Sequence, residues 1–308
     1  MEQNLWLAEQ FEASRGHLRG VAYRMLGSLA EADDAVQEAW LRLSRSGAEG
    51  ISNMRAWLTT VVSRVCLDML RSRTAHREES LDETAAPQPA PHTSDRSCAR
   101  SNPEQEALLA DAVGIALLVV LDRLNPAERL AFVLHDLFDF SFDEIGRIVD
   151  RSPDAARQLA SRARRRVRGA AEPRTELAHQ RELVRTFLTA LRAGNVDDLL
   201  AVLDPDLIVR VDAASAVSGQ APEVRGARDW AAQAVKTAKG ARFAQPALID
   251  GDAGLVIAPR GRLFRLLRFT FRGGKIAEVQ VVGDRAILST VELAILDDDS
   301  DSAVHAES

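Results

Sequence analysis

The chain has little of what would make it a disulfide scaffold, a membrane protein or a metal site. Its 308 residues include two cysteines, Cys66 and Cys98. Neither belongs to a CxxC pair or has a histidine at metal-ligand spacing, so a disulfide framework and a zinc module are both excluded. Cys66 falls in a helical apolar pattern and Cys98 in a polar stretch, and both read as structural thiols. No run of about 18 apolar residues is available to span a bilayer. The opening residues MEQNLWLAEQFEASRG lack the basic, apolar and small-residue order of a signal peptide. A cytoplasmic chain with no membrane partner is expected. The single tyrosine, Tyr23, and six scattered histidines leave few groups for acid–base chemistry. No metal or organic cofactor is implied.

What is present is helix, charge and one change of texture. A hydrophobic content of 46% and a net charge of -6 describe a soluble chain of two or three domains. Net acidity argues weakly against a nucleic-acid partner, but a local basic face counts for more than the total. Between Arg151 and Arg168, Asp154 is the only acid among seven arginines.

Composition divides the chain. Residues 1–77 carry continuous helical periodicity, and 78–103 are rich in Pro, Ser, Thr and acid and read as a flexible linker. Helical pattern resumes over 104–169, and 170–178 form a second break. Over 179–290 one amphipathic helix gives way to alternating runs such as LIVRVD, RLFRLLRFTF and KIAEVQVV, which predict an α+β domain with a curved antiparallel sheet. Residues 291–308 read as an acidic tail.

In the first helical part, Ser28 and Glu31 have the spacing of a capping box. The helix that follows places Ala35, Val36, Ala39, Trp40 and Leu43 inward and Asp33, Asp34, Gln37, Glu38 and Arg42 toward water. Asn53 can cap the next helix, in which Trp57, Leu58, Val61, Val62, Val65 and Leu70 point inward. Arg55, Thr59, Thr60, Arg64, Arg71 and Arg73 are then accessible, a mixture of cations and hydroxyls suited to phosphates and base edges.

In the second helical part, SFDEIGRIVDRSPDAARQLASRARRRVRG has the logic of a helix-turn-helix. Ser141 caps a short helix, Asp150 to Ser152 make the turn, and Pro153 opens the second helix. Ala156, Leu159, Ala160, Ala163 and Val167 form its inner stripe, leaving Asp154, Arg157, Gln158, Ser161, Arg162, Arg165 and Arg168 outward or flanking. Small residues inside and cations outside are what a major-groove helix requires. His135, in AFVLHDLF, reads as a packed or capping histidine.

These motifs carry a resemblance. FEASRGHLRGVAYRMLGSLAEADDAVQEAWLRL followed by MRAWLTTVVSRVCLDMLRSR resembles region 2 of extracytoplasmic-function sigma factors of the sigma-70 family. RLNPAERLAFVLHDLFDFSFDEIGRIVDRSPDAARQLASRARRRV resembles region 4. The resemblance implies a multidomain fold: two all-α sigma domains, a region 2 helical bundle and a region 4 helix-turn-helix. It also implies core RNA polymerase as partner, bound at the β′ clamp and β flap, and promoter DNA read at -10 and -35. By the same resemblance Asp33, Asp34, Gln37 and Glu38 would contact polymerase. Asn53, Arg55, Thr60 and Arg64 would meet the separated -10 strand. Arg157, Gln158, Ser161 and Arg162 would read or approach -35 bases, and Arg164, Arg165, Arg166 and Arg168 would hold phosphates.

The C-terminal part, from LVRTFLTALRAGNVDDLLAVLDPDLIVRVD to FRGGKIAEVQVVGD, resembles the SnoaL-like branch of the NTF2-like cone. Sigma factors with this fusion form a recognised type, in which the extension modulates activity; an intramolecular contact with the sigma domains is expected. Pocket candidates are Asp212, Trp230 and Asp284. Related folds include isomerases and cyclases that use a buried carboxylate, but an acid, base and oxyanion set is not complete here, and no catalytic residue is assigned. The alternatives are a small-molecule isomerase, cyclase or hydrolase on the third domain, or a helix-turn-helix regulator without sigma activity.

Overall fold

The computed structural model describes residues 2–46, 51, 53–82, 114–169, 175–216 and 223–296. The expected linker from residue 83 on, Cys98, residues 170–174 of the break expected over 170–178 and the tail from 297 lie outside the described residues; residues 175–178 of that break are instead the first turn of a helix.

The chain divides into two compact units. Among the described residues, the first comprises those between 2 and 82 and residues 121–164, and so holds the first helical module and most of the second; the second comprises residues 114–120 and those between 165 and 296.

In the first unit, α1 (Glu2–Leu26), α2 (Leu29–Ser46) and α3 (Met54–Asp82) form a bundle. Leu18, Val21, Tyr23, Met25, Ala35, Val36, Ala39, Leu43, Leu58 and Val62 are its buried centre. The inward stripe expected for α2 is observed, with Trp40 half-buried and packed against Phe11. Glu31, expected in a capping box, is ion-paired with Arg73 of α3. α3 runs to Asp82, five residues into the stretch read as linker, because neither Pro nor Gly stops the helix before that point.

After α4 (Ile115–Leu121), an apolar helix, come α5 (Pro126–Phe132), a π turn (Val133–Leu137), α6 (Phe142–Val149) and α7 (Pro153–Arg168). Asn125 caps α5 through Glu128 N. Ser141 caps α6 with a complete capping box, its Oγ accepting from Glu144 N while the Glu144 carboxylate accepts from Ser141 N. The turn into α7 closes on Asp150, in the left-handed region at φ 56°, and Arg151 N donates to Gly146 O. A Cβ on Gly146 would come within 2.7 Å of the Arg151 carbonyl oxygen, so only glycine lets this turn fold back on its helix.

The C-terminal domain places α8 (Thr175–Ala193), α9 (Val196–Val202) and α10 (Ala227–Thr237) on one face of a seven-stranded sheet. Its strands are β1 (Leu203–Val211), β2 (Glu223–Arg225), β3 (Ala244–Ile249), β4 (Asp252–Ile257), β5 (Arg265–Arg272), β6 (Lys275–Val282) and β7 (Leu293–Ile295), in the order β2-β1-β6-β5-β4-β3-β7. Phe187 of α8 stacks on Trp230 and meets Phe269 of β5 edge-on at the core. The sheet is mixed rather than wholly antiparallel: β1 pairs with β6 in parallel, and everything between them serves as the crossover that a parallel pair requires. β7 pairs with β3 beyond residue 290, where the acidic tail was expected to begin; Leu293, Ala294 and Leu296 are buried, which accounts for its order.

Candidate nucleic-acid interface

α3 offers one surface. Counting 100° per residue, Asn53, Trp57, Thr60 and Arg64 fall on one stripe of the helix, whereas Arg55 and Thr59 fall on another. Asn53 caps the helix by accepting from Ala56 N at 3.0 Å. Thr60 Oγ1 donates to Ala56 O, and Arg64 Nη2 donates to the Arg147 carbonyl of α6 at 2.7 Å.

Arg55 is exposed but turned toward α1, its Nη2 2.9 Å from His17 Nδ1. A guanidinium only donates, so Nδ1 accepts and Nε2 carries the proton, which it donates to Thr59 Oγ1 at 3.1 Å. Thr59 Oγ1 in turn donates to Arg55 O, closing a ring of hydrogen bonds. Thr59 is therefore fully buried, against the sequence expectation, because its neighbour is His17 and not solvent. Burial and then the Arg55 charge hold the His17 pKa below its ordinary value.

On α2, Asp33, Asp34 and Gln37 are exposed and Glu38 is half-buried. Asp33 pairs with Arg19 at 2.7 Å and Glu38 with Arg42 at 2.9 Å.

α7 offers the second surface. Ala156, Leu159, Ala160, Ala163 and Val167 are buried, and Asp154, Arg157, Gln158, Ser161, Arg162, Arg165 and Arg168 are exposed, so the expected division holds at every position. Arg157 pairs with Asp154 at 2.7 Å and lies over the Phe142 ring. Arg162 Nε donates to Glu128 Oε1 at 3.0 Å, and Arg164 Nε to Asp136 Oδ1 at 2.5 Å. His135 Nδ1 lies 2.9 Å from Phe140 O and its ring packs on Phe142.

Three residues escaped the sequence reading. Glu128 sits where a capping-box glutamate would point outward, yet it is buried. Arg129 beside it is buried too, donating to Arg24 O at 3.1 Å and pairing with Asp122 at 3.4 Å. His17 is a lone histidine in a helical pattern. Each owes its role to a partner distant in sequence, and only the acid-arginine pair in the apolar run NPAERLAF was a visible signal.

The pocket candidates of the C-terminal domain have structural partners. Asp212 accepts from Ser215 N, Gly283 N and Asp284 N at 2.7 to 2.8 Å. Burial raises its pKa, but hydrogen bonding from the Ser215 side chain and then from the Gly283, Asp284 and Ser215 N–H groups outweighs it and leaves the carboxyl below its ordinary value. Asp284 caps α11 (Arg285–Thr290), accepting from Ala286 N and Ile287 N. Burial pushes the Cys66 thiol up to about 12. Among the described residues no group of His, Cys, Asp and Glu could hold a metal, and no helix is long and apolar enough to cross a membrane.

Both helical modules are similar to known proteins. The family model for Sigma-70 region 2 matches residues 10–76, and that for Sigma-70, region 4 matches residues 115–167. The ECF RNA polymerase sigma factor SigJ of Mycobacterium tuberculosis is 38% identical over 288 residues, covering 87% of this chain and 88% of SigJ. The chain belongs to the extracytoplasmic-function sigma factors. The probable ECF RNA polymerase sigma factor SigI of the same species is 34% identical, with 92% of this chain and 94% of SigI covered. A crystal structure of Mycobacterium tuberculosis SigJ aligns with 91% of this sigma factor and 97% of its own chain at 32% identity, with a TM-score of 0.42. As a sigma factor the protein binds DNA and works with RNA polymerase to direct transcription initiation.

Proposed function

We propose that this sigma factor contacts polymerase through Asp33, Asp34, Gln37 and Glu38 of α2, at the β′ clamp, and through its second helical module at the β flap. The α3 stripe of Asn53, Thr60 and Arg64, with Arg55 at its edge, meets unpaired bases of the -10 element. α7 enters the major groove at -35, where Arg157, Gln158, Ser161 and Arg162 lie near base edges and Arg164 and Arg165 near phosphates. Its place of work is the cytoplasm.

The observation that supports this reading best is the α7 surface: a cationic and amide stripe opposite a buried stripe rich in alanine. Replacing Arg157 and Arg162 by Ala should weaken promoter-dependent transcription while core polymerase binding persists. Unaltered promoter selection would overturn the assignment.

The C-terminal domain modulates this activity by contact with the sigma domains, not by turnover. A general base needs a pKa near the working pH, and Asp212 is held the other way. Transcription by the full chain should differ from that by a chain ending near Gly169; equal activity would defeat a modulating role.

A further inference from the structure

The roll of α7 about its own axis is fixed by two acids beneath it. Counting from the buried Ala163, Arg162 and Arg164 lie about 100° to either side of the helix. Each is held by a different acid of the preceding rod: Arg162 by Glu128 in the first turn of α5, Arg164 by Asp136 in the π turn. Ala163 is thus seated between two anchors, one on each flank, and neither flank can turn inward without breaking the other's bond.

The π turn makes this arrangement work. Eight residues of regular helix would separate Glu128 from Asp136 by about 80° around the axis. The extra residue that a π turn accommodates reduces this to about 20°, so both acids rise from one stripe roughly 10 Å apart along the rod. That spacing leaves room for α7 to pass between them.

The anchors are stiffer than the arginines they hold. The Glu128 side chain is 3% exposed, and its backbone N–H is bound by the cap Asn125; Asp136 is 20% exposed, with Oδ2 buried. A buried carboxylate must keep its cation, because losing it strands a charge away from water. Arg162 remains half exposed, with its terminal nitrogens beyond the Nε bond.

We propose that Glu128 and Asp136 are positioning residues for -35 recognition: by gripping Arg162 and Arg164 they set which side chains of α7 face the groove. This rests on the reading of α7 as the -35 helix. The test uses the full chain with core polymerase on promoters randomised across the -35 element, reading the base preference at each position, the salt dependence of binding and the thermal midpoint. Asp136→Asn and Glu128→Gln should each flatten the base preference by about tenfold at positions faced by Arg157, Gln158 and Ser161, with core binding retained. Arg164→Lys keeps the cation that a phosphate needs but loses the planar Nε–H that Asp136 grips, so it should flatten the preference with an unchanged salt slope. If the acid variants fail to fold, the Arg164→Lys profile alone decides. A sharp wild-type preference that stays equally sharp in Arg164→Lys, or in folded acid variants with merely lowered thermal midpoints, would overturn the proposal. A wild-type protein with no -35 preference would instead sink the underlying assignment of α7.

Discussion

Arg129 of α5 donates from Nε to the main-chain carbonyl of Arg24, 105 residues earlier in the chain, at 3.1 Å. The acceptor lies in the last turn of α1, where carbonyls lack helical partners and a cation meets the negative end of the helix dipole. The second helical module thus completes the end of a helix in the first. Arg73 adds Nη1 to the neighbouring Leu26 carbonyl, and Phe138 packs between His17 and Arg24.

This contact is costly as well as stabilising. Arg129 is 3% exposed, burial lowers its pKa, Nη2 is buried without a hydrogen-bond partner, and the partnering Asp122 is more than half exposed. Arg129→Ala leaves a cavity and an unbonded carbonyl and should cost about 2–4 kcal/mol. Arg129→Met leaves the same carbonyl unbonded but fills the space and removes an incompletely paired charge, so it should cost less, about 1–2 kcal/mol. Native-state hydrogen exchange of α1 and α5 amides measures both; equal losses would show that the charge, and not the volume, carries the contact.

Acid should loosen the Arg55 ring. His17 has a folded pKa below 6.5, lowered first by burial and second by Arg55. Just below pH 6.5 the unfolded chain binds a proton that the folded chain does not, so stability is present above that pH and falls as pH drops toward the folded value. The imidazolium that then forms cannot accept at Nδ1, and Arg55 is released. A pH titration of His17 ring resonances should give a midpoint under 6.5, and Arg55→Ala should move it upward. An unmoved midpoint would remove the charge from the account.

The ring also shows where sequence reading stops. The α7 stripe was legible because it depends on one helix's period and on the choice of alanine where another backbone comes close. The caps Asn53 and Ser141 were legible because their partners lie three residues away. Arg55 was grouped with Asn53 and Arg64, although its spacing puts it on another side of α3; the partner that fixes it, His17, is 38 residues distant. In sequence Asp212 reads as a pocket acid because its donors, Gly283 and Asp284, come from just past the far end of β6. β7 is indistinguishable from the acidic tail in sequence because three residues carry no readable period.

Asp212 should behave as a staple of the C-terminal domain. Its folded pKa is lowered from 3.8, so its stabilisation is present above that pH and is lost as pH falls through the folded value. Asp212→Ala leaves the Gly283 and Asp284 N–H groups without their acceptor and Ser215 N with the Asp212 carbonyl alone, and should cost about 2 kcal/mol. Hydrogen exchange at Ser215, Gly283 and Asp284 should quicken together in this variant and in acid, while amides of α1 to α3 keep their rates. Quickening confined to Ser215 would show that the Gly283 and Asp284 bonds contribute little.

Asp154 is the one acid on the α7 face, and its effects on folding and on DNA binding separate. In the folded protein it sits in the first helical turn, favourable to the helix dipole, and pairs with Arg157. Both side chains are largely exposed, so the pair is worth about 0–1 kcal/mol. Toward a phosphate backbone the same carboxylate is repulsive and also occupies the guanidinium of Arg157. Asp154→Asn should therefore leave the thermal midpoint nearly unchanged while raising DNA affinity and steepening the slope of log affinity against log salt by about one. Binding measured from low to moderate salt gives that slope directly. A variant with unaltered slope would mean that Asp154 lies too far from the phosphate backbone to repel it, and that its carboxylate acts only on Arg157, which already rests on the Phe142 ring.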